Sequence, residues 1–342
     1  MSLRTTDQHR RAWLLGAALA VASALLLLLG VAVGSTGFES VLNMQRDPQA
    51  LQIVWDIRLP RTTAAWLAGA LFGLAGAVAQ GLFRNPLADP YLLGSASGAV
   101  LGETVAMVLL GISPMAAHWL ARIGLTSAAF VGAVAAVLLT LLLAKGVQHT
   151  LRLLLAGVVV GVVLGAVSSL LLLLNPDILQ AMQSFMLGST AFVDWTACAI
   201  MASVLVASVI AAWTMSHVLD GLALGESTAQ SLGLNLPRMR LALIAVLALA
   251  TGTAVAQTGL IAFVGLAAPH LVRSVIKTTH GRLIVLSSLT GAVLLMAADI
   301  LARWLIAPQE LPVGVLTAVL GGGYLLWLMH RQTGHGARGS GL

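Results

Sequence analysis

The chain has 342 residues, 59% of them hydrophobic and only 9% charged, with a formal net charge of +6. A soluble domain carries about 25% charged residues, so a water-soluble globular fold is excluded, and with it the nucleic-acid partner that a basic soluble domain would suggest. The lone cysteine, Cys198, rules out an internal disulfide and a thiolate metal site; within its apolar stretch it reads as a small packing residue.

Apolar runs of about 20 residues recur along the chain, each long enough to cross a bilayer. They are continuously apolar rather than alternating, so they read as helices and not barrel strands. The first, Trp13–Gly34, follows Arg4, His9, Arg10 and Arg11. It resembles a signal peptide, but its length and the spans that follow make it an uncleaved helix behind a cytoplasmic tail, residues 1–12. The next spans are Thr62–Phe83, Leu92–Gly111, Thr126–Ala144, Leu153–Leu174 and Trp195–Trp213. Leu241 to Val272 then runs without a charge, too long for one ordinary crossing. Turn residues at Thr251-Gly252-Thr253 and Gln257-Thr258-Gly259 divide it into a tight hairpin, Leu241–Gln257 and Gly259–Val272. Leu283–Ile306 and Val313–Met329 complete ten spans.

Charge supports ten. With a cytoplasmic N-terminus, the inner side holds Arg4, Arg10, Arg11, Arg84, Lys145, Arg152, Arg238, Arg240, Arg273, Lys277, Arg282, Arg331 and Arg338. The outer side holds Arg46, Arg58, Arg61, Arg122 and Arg303. That bias follows the positive-inside rule and places both termini inside; merging the seventh and eighth spans would destroy it. Between spans, Gly37 to Asp56 reads as an outer loop and Asn175 to Asp194 as an outer amphipathic segment lying at the interface. The largest cytoplasmic loop is 216–240, and the Gly-rich tail, 332–342, reads as disordered.

An internal repeat supports a transporter. Ala77-Val78-Ala79-Gln80 recurs as Ala254-Val255-Ala256-Gln257, and Leu87-Ala88-Asp89-Pro90 loosely as Leu266-Ala267-Ala268-Pro269. One copy lies on the second span and the other on the seventh, so the two run in opposite directions, as in inverted-repeat transporters.

No motif for chemistry is present. The only lysines, Lys145 and Lys277, follow no phosphate-cradling glycine run, so any ATP is hydrolysed by another chain. His270, after Pro269, reads as structural at a helix end. Glycines spaced by four (Gly69, Gly73; Gly94, Gly98, Gly102; Gly157, Gly161, Gly165) read mostly as close helix packing, with a channel border as the alternative. Glu103, mid-span, reads as a carboxyl bonded to a neighbouring helix, with a proton or cation site as the alternative. Asp299 and Arg303 are four apart and pair along one helix face. Arg58 and Arg61 run against the charge bias and, with Arg303, read either as snorkelling cations or as a docking surface for an acidic partner. Leu219 to Leu232 reads as one amphipathic helix, packed on its own bundle or seated in a cytoplasmic partner.

Several stretches together resemble the FecCD family of importer permeases for ferric siderophores, heme and cobalamin. They are RLPR (Arg58–Arg61), AGALFGLAGAVAQGLFRNPLADPYLLG (Ala68–Gly94), LRLLLAGVVVG (Leu151–Gly161), LALGESTAQSLG (Leu222–Gly233), GLIAFVGLAAPHLVR (Gly259–Arg273) and ELPVGVLTAVLGG (Glu310–Gly322). The resemblance implies an all-α permease of two inverted five-helix halves in the bacterial inner membrane. Its implied partners are a second permease copy, two cytoplasmic ATPase subunits that carry ATP and Mg, and a periplasmic substrate-binding protein. The chain itself would hold no cofactor or metal. Carried over by position, Arg58, Arg61 and Arg303 dock the binding protein. Asn85 and Leu87 form one cytoplasmic gate, and Thr150 and Leu151 the other. Leu222, Ala223, Leu224, Gly225 and Glu226 couple to the ATPase. The fifth and tenth spans line the pathway. Gly323 and Phe185 depart from the family's Pro and Trp. The implied cargo is an iron chelate, heme or ferric siderophore, with cobalamin as the alternative; a proton-driven transporter working through Glu103 is the competing class.

Overall fold

The computed structural model describes residues 2–34, 37–38, 48–111, 119–147 and 150–336. Arg46, Arg338 and the tail beyond Gly336 lie outside the described residues. Apart from a two-residue antiparallel pair, Val33–Gly34 with Gly37–Phe38 (β1, β2), the described chain is helical or connects helices. The helices are α1 (Ser2–Ala32), α2 (Pro48–Ile53), α3 (Leu59–Phe83), α4 (Ser95–Leu110), α5 (Trp119–Leu143), α6 (Thr150–Leu174), α7 (Leu179–Leu187), α8 (Trp195–Thr214), α9 (Ser216–Ala223), α10 (Glu226–Ser231), α11 (Leu236–Thr258), α12 (Val264–Val275), α13 (His280–Trp304) and α14 (Val313–Gly336). A π-turn, Val54–Arg58, joins α2 to α3, and 3-10 turns cover Pro90–Leu93 and Pro176–Ile178. Among the described residues, seven stretches are long and apolar enough to cross a membrane. Ser95–Leu110 and Val313–Trp327 are shorter apolar helices.

At the centre, α3 is buried along almost its whole length and packs most closely on α13. Glycine makes this possible. A Cβ on Gly69 would sit 2.3 Å from the Gly291 carbonyl oxygen, and one on Gly73 2.1 Å from that of Ser287. The α4–α5 crossing repeats the device, with Gly98 against Gly132 and Gly102 against Ala128. Close backbone approach replaces the hydrophobic driving force that lipid does not supply between helices.

The helices that carry the repeat run antiparallel, as expected. The C-terminal residues of α3, Leu82 and Phe83, lie beside Arg240 and Ile244 at the start of α11. At the other end, Thr258 of α11 accepts from Ser189 N at 2.8 Å, and the neighbouring Thr190 bonds Asp299, which also holds Arg61 of α3. These ends are called below the Arg240 end and the Arg61 end. Only the upstream half of the repeat folds alike: Leu87–Pro90 is a loop entering a 3-10 turn, whereas Leu266–Pro269 lies inside α12.

Five expectations need correction. First, α1 begins at Ser2, so the first helix reaches back ahead of the span expected from Trp13. Second, α14 continues to Gly336, into the stretch expected to be disordered. Third, helix begins at Pro48 within the loop expected over Gly37 to Asp56. Fourth, the second leg of the hairpin is not a full-length helix: α12 has 12 residues, about 18 Å at 1.5 Å per residue, against about 30 Å of hydrocarbon. The residues before it, 259–263, are irregular, with Gly259 and Phe263 at φ +69°. Irregular backbone at such depth is tolerated only where protein satisfies it. Here Leu260 N donates to the Phe185 carbonyl at 3.1 Å, and the Tyr91 hydroxyl donates to the Ile261 carbonyl at 3.0 Å while accepting from Ile261 N at 3.3 Å. Fifth, the amphipathic helix expected from Leu219 to Leu232 is two helices, α9 and α10, broken at Gly225 with φ +114°.

Candidate functional site

At the Arg61 end a buried ion network ties α3, α13 and the segments on either side of them. Asp299 is fully buried. Arg61 Nε and Nη2 each donate to Asp299 Oδ1 at 3.3 Å. Arg303 Nη2 bonds Asp299 Oδ2, and Thr190 Oγ1 donates to Asp299 Oδ1. Arg303 also donates to the Gly30 carbonyl at 3.0 Å and to Thr62 Oγ1 at 3.2 Å. Arg61 Nη1 reaches Glu310 at 2.7 Å. Two cations thus face two carboxylates, an arrangement that keeps buried charge neutral. The i,i+4 pair Asp299–Arg303 was legible in sequence; its junction with Arg61 was not.

The three arginines expected to dock a partner lie in or beside this network. Arg58, Arg61 and Arg303 do gather at one end, but they are 6%, 8% and 1% exposed, and Arg58 Nη1 donates to the Val31 carbonyl at 3.2 Å. Glu310, with 28% of its side chain exposed, is where the network reaches the surface.

Near this end a cavity of about 280 Å³ opens among α5, α7, α8 and α11, with Glu103 of α4 and Gln257 on its wall. Glu103 is 5% exposed, and its Oε2 has no hydrogen-bond partner, so the bond to a neighbouring helix expected for that oxygen is absent. Phe185, one of the two departures from the family pattern, lines the same cavity. His270 lies mid-helix in α12 rather than at a helix end, and its ring meets Tyr324 edge-on at 5.8 Å.

The Arg240 end carries the other candidate residues. Asn85 is exposed and its side chain accepts from Leu87 N at 2.9 Å, fixing the loop after α3; Leu87 is 51% exposed. In the same loop Asp89 caps Tyr91 N at 2.8 Å, and burial raises its carboxyl above the ordinary range. Thr150 starts α6 beside Leu82 and Phe83, with Leu151 70% exposed. The two stretches expected to form gates therefore meet at one end. Leu222 is fully buried on its own bundle, whereas Leu224 is 69% exposed at the break before Gly225. Glu226 pairs with Arg240, which also donates to the Val147 carbonyl at 3.3 Å.

The glycine rows divide. Those of α3 and α4 are packing, as is Gly157 against the Leu92 carbonyl, but a Cβ on Gly165 or on Gly323 would meet nothing within 4 Å. Both lie on helices with exposed apolar faces, including Val162 and Val163 of α6 and Val319 and Leu320 of α14. Between them, α7 follows α6 and packs on α14.

The model of the FecCD transport family matches residues 18–331. The chain is 37% identical to the hemin transport system permease protein HmuU of Yersinia pestis, over 90% of this chain and 94% of that protein. It is 38% identical to the vitamin B12 import system permease protein BtuC of Shigella boydii serotype 18, over 95% and 97% respectively. A solved inward-facing metal-chelate type ABC transporter superposes with a TM-score of 0.81 at 26% identity, covering 92% of this chain and 98% of that one.

Proposed function

The chain belongs to the FecCD transport family, and we propose that it is the membrane-spanning permease of an ATP-driven importer for an iron chelate, heme or a ferric siderophore. Whole-length similarity to two importer permeases and to an ABC transporter structure is the observation that carries this reading. On it, the chain crosses the bacterial inner membrane ten times, with the Arg240 end and both termini in the cytoplasm. The eighth crossing is made by the irregular residues 259–263 and α12 together.

A second copy completes the pathway. The unfilled faces at Gly165 and Gly323 support this placement, since one copy leaves them uncovered. Two ATPase subunits sit against Leu222 to Glu226, with the exposed Leu224 and the hinge at Gly225 as the contact. ATP binding there moves α9 and α10, and the gates at Asn85, Leu87, Thr150 and Leu151 open or close by population shift. The periplasmic binding protein docks at the end that carries Arg58, Arg61 and Arg303. This chain contributes path and gates; ATP and Mg belong to the partner.

Cobalamin is the alternative cargo, and the similarity to the B12 permease keeps it in play. The test is uptake into proteoliposomes holding the permease, its ATPase and internal ATP, fed by the binding protein. Hemin or ferric-siderophore accumulation that excess cobalamin leaves unchanged supports the reading; cobalamin accumulation replaces it. A proton-driven transporter is the second class, favoured only by the unpartnered Glu103 carboxyl. It predicts uptake without ATP that Glu103→Gln abolishes.

A further inference from the structure

The cavity beside Glu103 has the chemistry of a binding site that the transport reading does not use. Among the described residues that line it are two carboxylates, Glu103 and Asp194, and no Arg, Lys or His. Asp194 gives one oxygen to the Ala197 N–H at 2.9 Å, capping α8. Glu103 has no such duty: it is nine-tenths buried, and its Oε2 is without a partner. A buried carboxyl left so is expensive unless something supplies a donor or a counter-charge.

Volume and wall select the class of ligand. At about 280 Å³ the space would take roughly nine waters at about 30 Å³ each, so a bare metal ion leaves most of it unfilled. The walls combine apolar side chains, among them Leu125, Phe185 and Ile200, with polar ones such as Ser127, Ser184 and Gln257. Apolar walls with a few convergent polar groups are the usual form of an organic-ligand site. We propose that this cavity binds a small organic primary ammonium, its nitrogen on the Glu103 carboxylate and its apolar body against Leu125, Phe185 and Ile200. The proposal does not depend on what the pathway carries.

Benzylamine is a suitable probe, titrated onto the purified full chain in detergent and followed by calorimetry and thermal unfolding. The expected result is saturable binding that Glu103→Gln weakens by about tenfold or more, the loss of a charge-assisted hydrogen bond. Benzyl alcohol, which fills the same space without the charge, should neither bind comparably nor compete. Should Glu103→Gln fail to fold, Ala181→Leu tests the site instead, because it narrows the cavity and leaves Glu103 in place; it too should weaken benzylamine. Equal binding of the amine and the alcohol would overturn the proposal, as would benzylamine binding that neither substitution changes, no saturable binding at all, or displacement of benzylamine by sodium at equal concentration.

Discussion

Arg61 and Asp299 lie 238 residues apart in the chain and meet in a buried ion pair at 3.3 Å. That contact locks α3 to α13 at one end, beyond the mid-helix crossing where their glycines bring the two backbones together. Removing one partner of a buried pair leaves the other charge uncompensated. Asp299→Ala leaves Arg303 without its carboxylate and Arg61 with Glu310 alone, and should lower stability by about 3–5 kcal/mol, read as an earlier thermal unfolding transition in detergent. Glu310→Gln touches the partly exposed end of the network and should change stability by less than about 1 kcal/mol. Equal effects from the two substitutions would show that the network's core and rim are not distinct.

Gly69 and Gly165 should behave oppositely. A side chain on Gly69 runs into the Gly291 backbone, so Gly69→Leu should fold poorly. Gly165 has open space, and Gly165→Ala should hold or raise stability, by about 0.5–1 kcal/mol from helix propensity. Gly165→Trp should fold and yet lose uptake, because the open face borders the proposed pathway. Normal uptake by a folded Gly165→Trp would remove α6 from that pathway.

Tyr91 is the side chain that satisfies both backbone groups of Ile261. Tyr91→Phe keeps the ring against Phe72, 6.0 Å away, but leaves those groups unpaired. A loss of about 1–3 kcal/mol is expected. Hydrogen exchange should rise at 259–263 before it rises in α11. Unchanged exchange there would mean the hydroxyl is not what holds the irregular segment.

The break at Gly225 requires a backbone conformation open to glycine. Gly225→Val should leave the helical fold intact, since α9 is anchored separately by the buried Val218, Leu219 and Leu222. It should uncouple transport, with ATPase activity no longer stimulated by the binding protein. Full stimulation in this variant would place the coupling contact elsewhere.

What sequence made legible follows from periodicity and local spacing. The long apolar runs, the chain reversal near Gly259 and the Asp299–Arg303 pair are all properties of neighbouring residues. The shortness of α12 was hidden because Gly259 to Phe263 is as apolar as a helix, and its irregular backbone is satisfied by Tyr91, far away in the chain. The burial of Arg61 and Arg303 was hidden for the same reason: at the end of a span, a snorkelling arginine and an ion-paired one have the same sequence. Gly225 was a local signal that could have split the cytoplasmic helix, since glycine at such a position commonly ends one.

The most direct test is to purify the tagged chain from native membranes in mild detergent, identify what accompanies it and assay ATP hydrolysis. The account predicts an ATPase subunit in equal amount and hydrolysis stimulated by a periplasmic binding protein. A chain that purifies alone and moves its cargo on a proton gradient without ATP would contradict it.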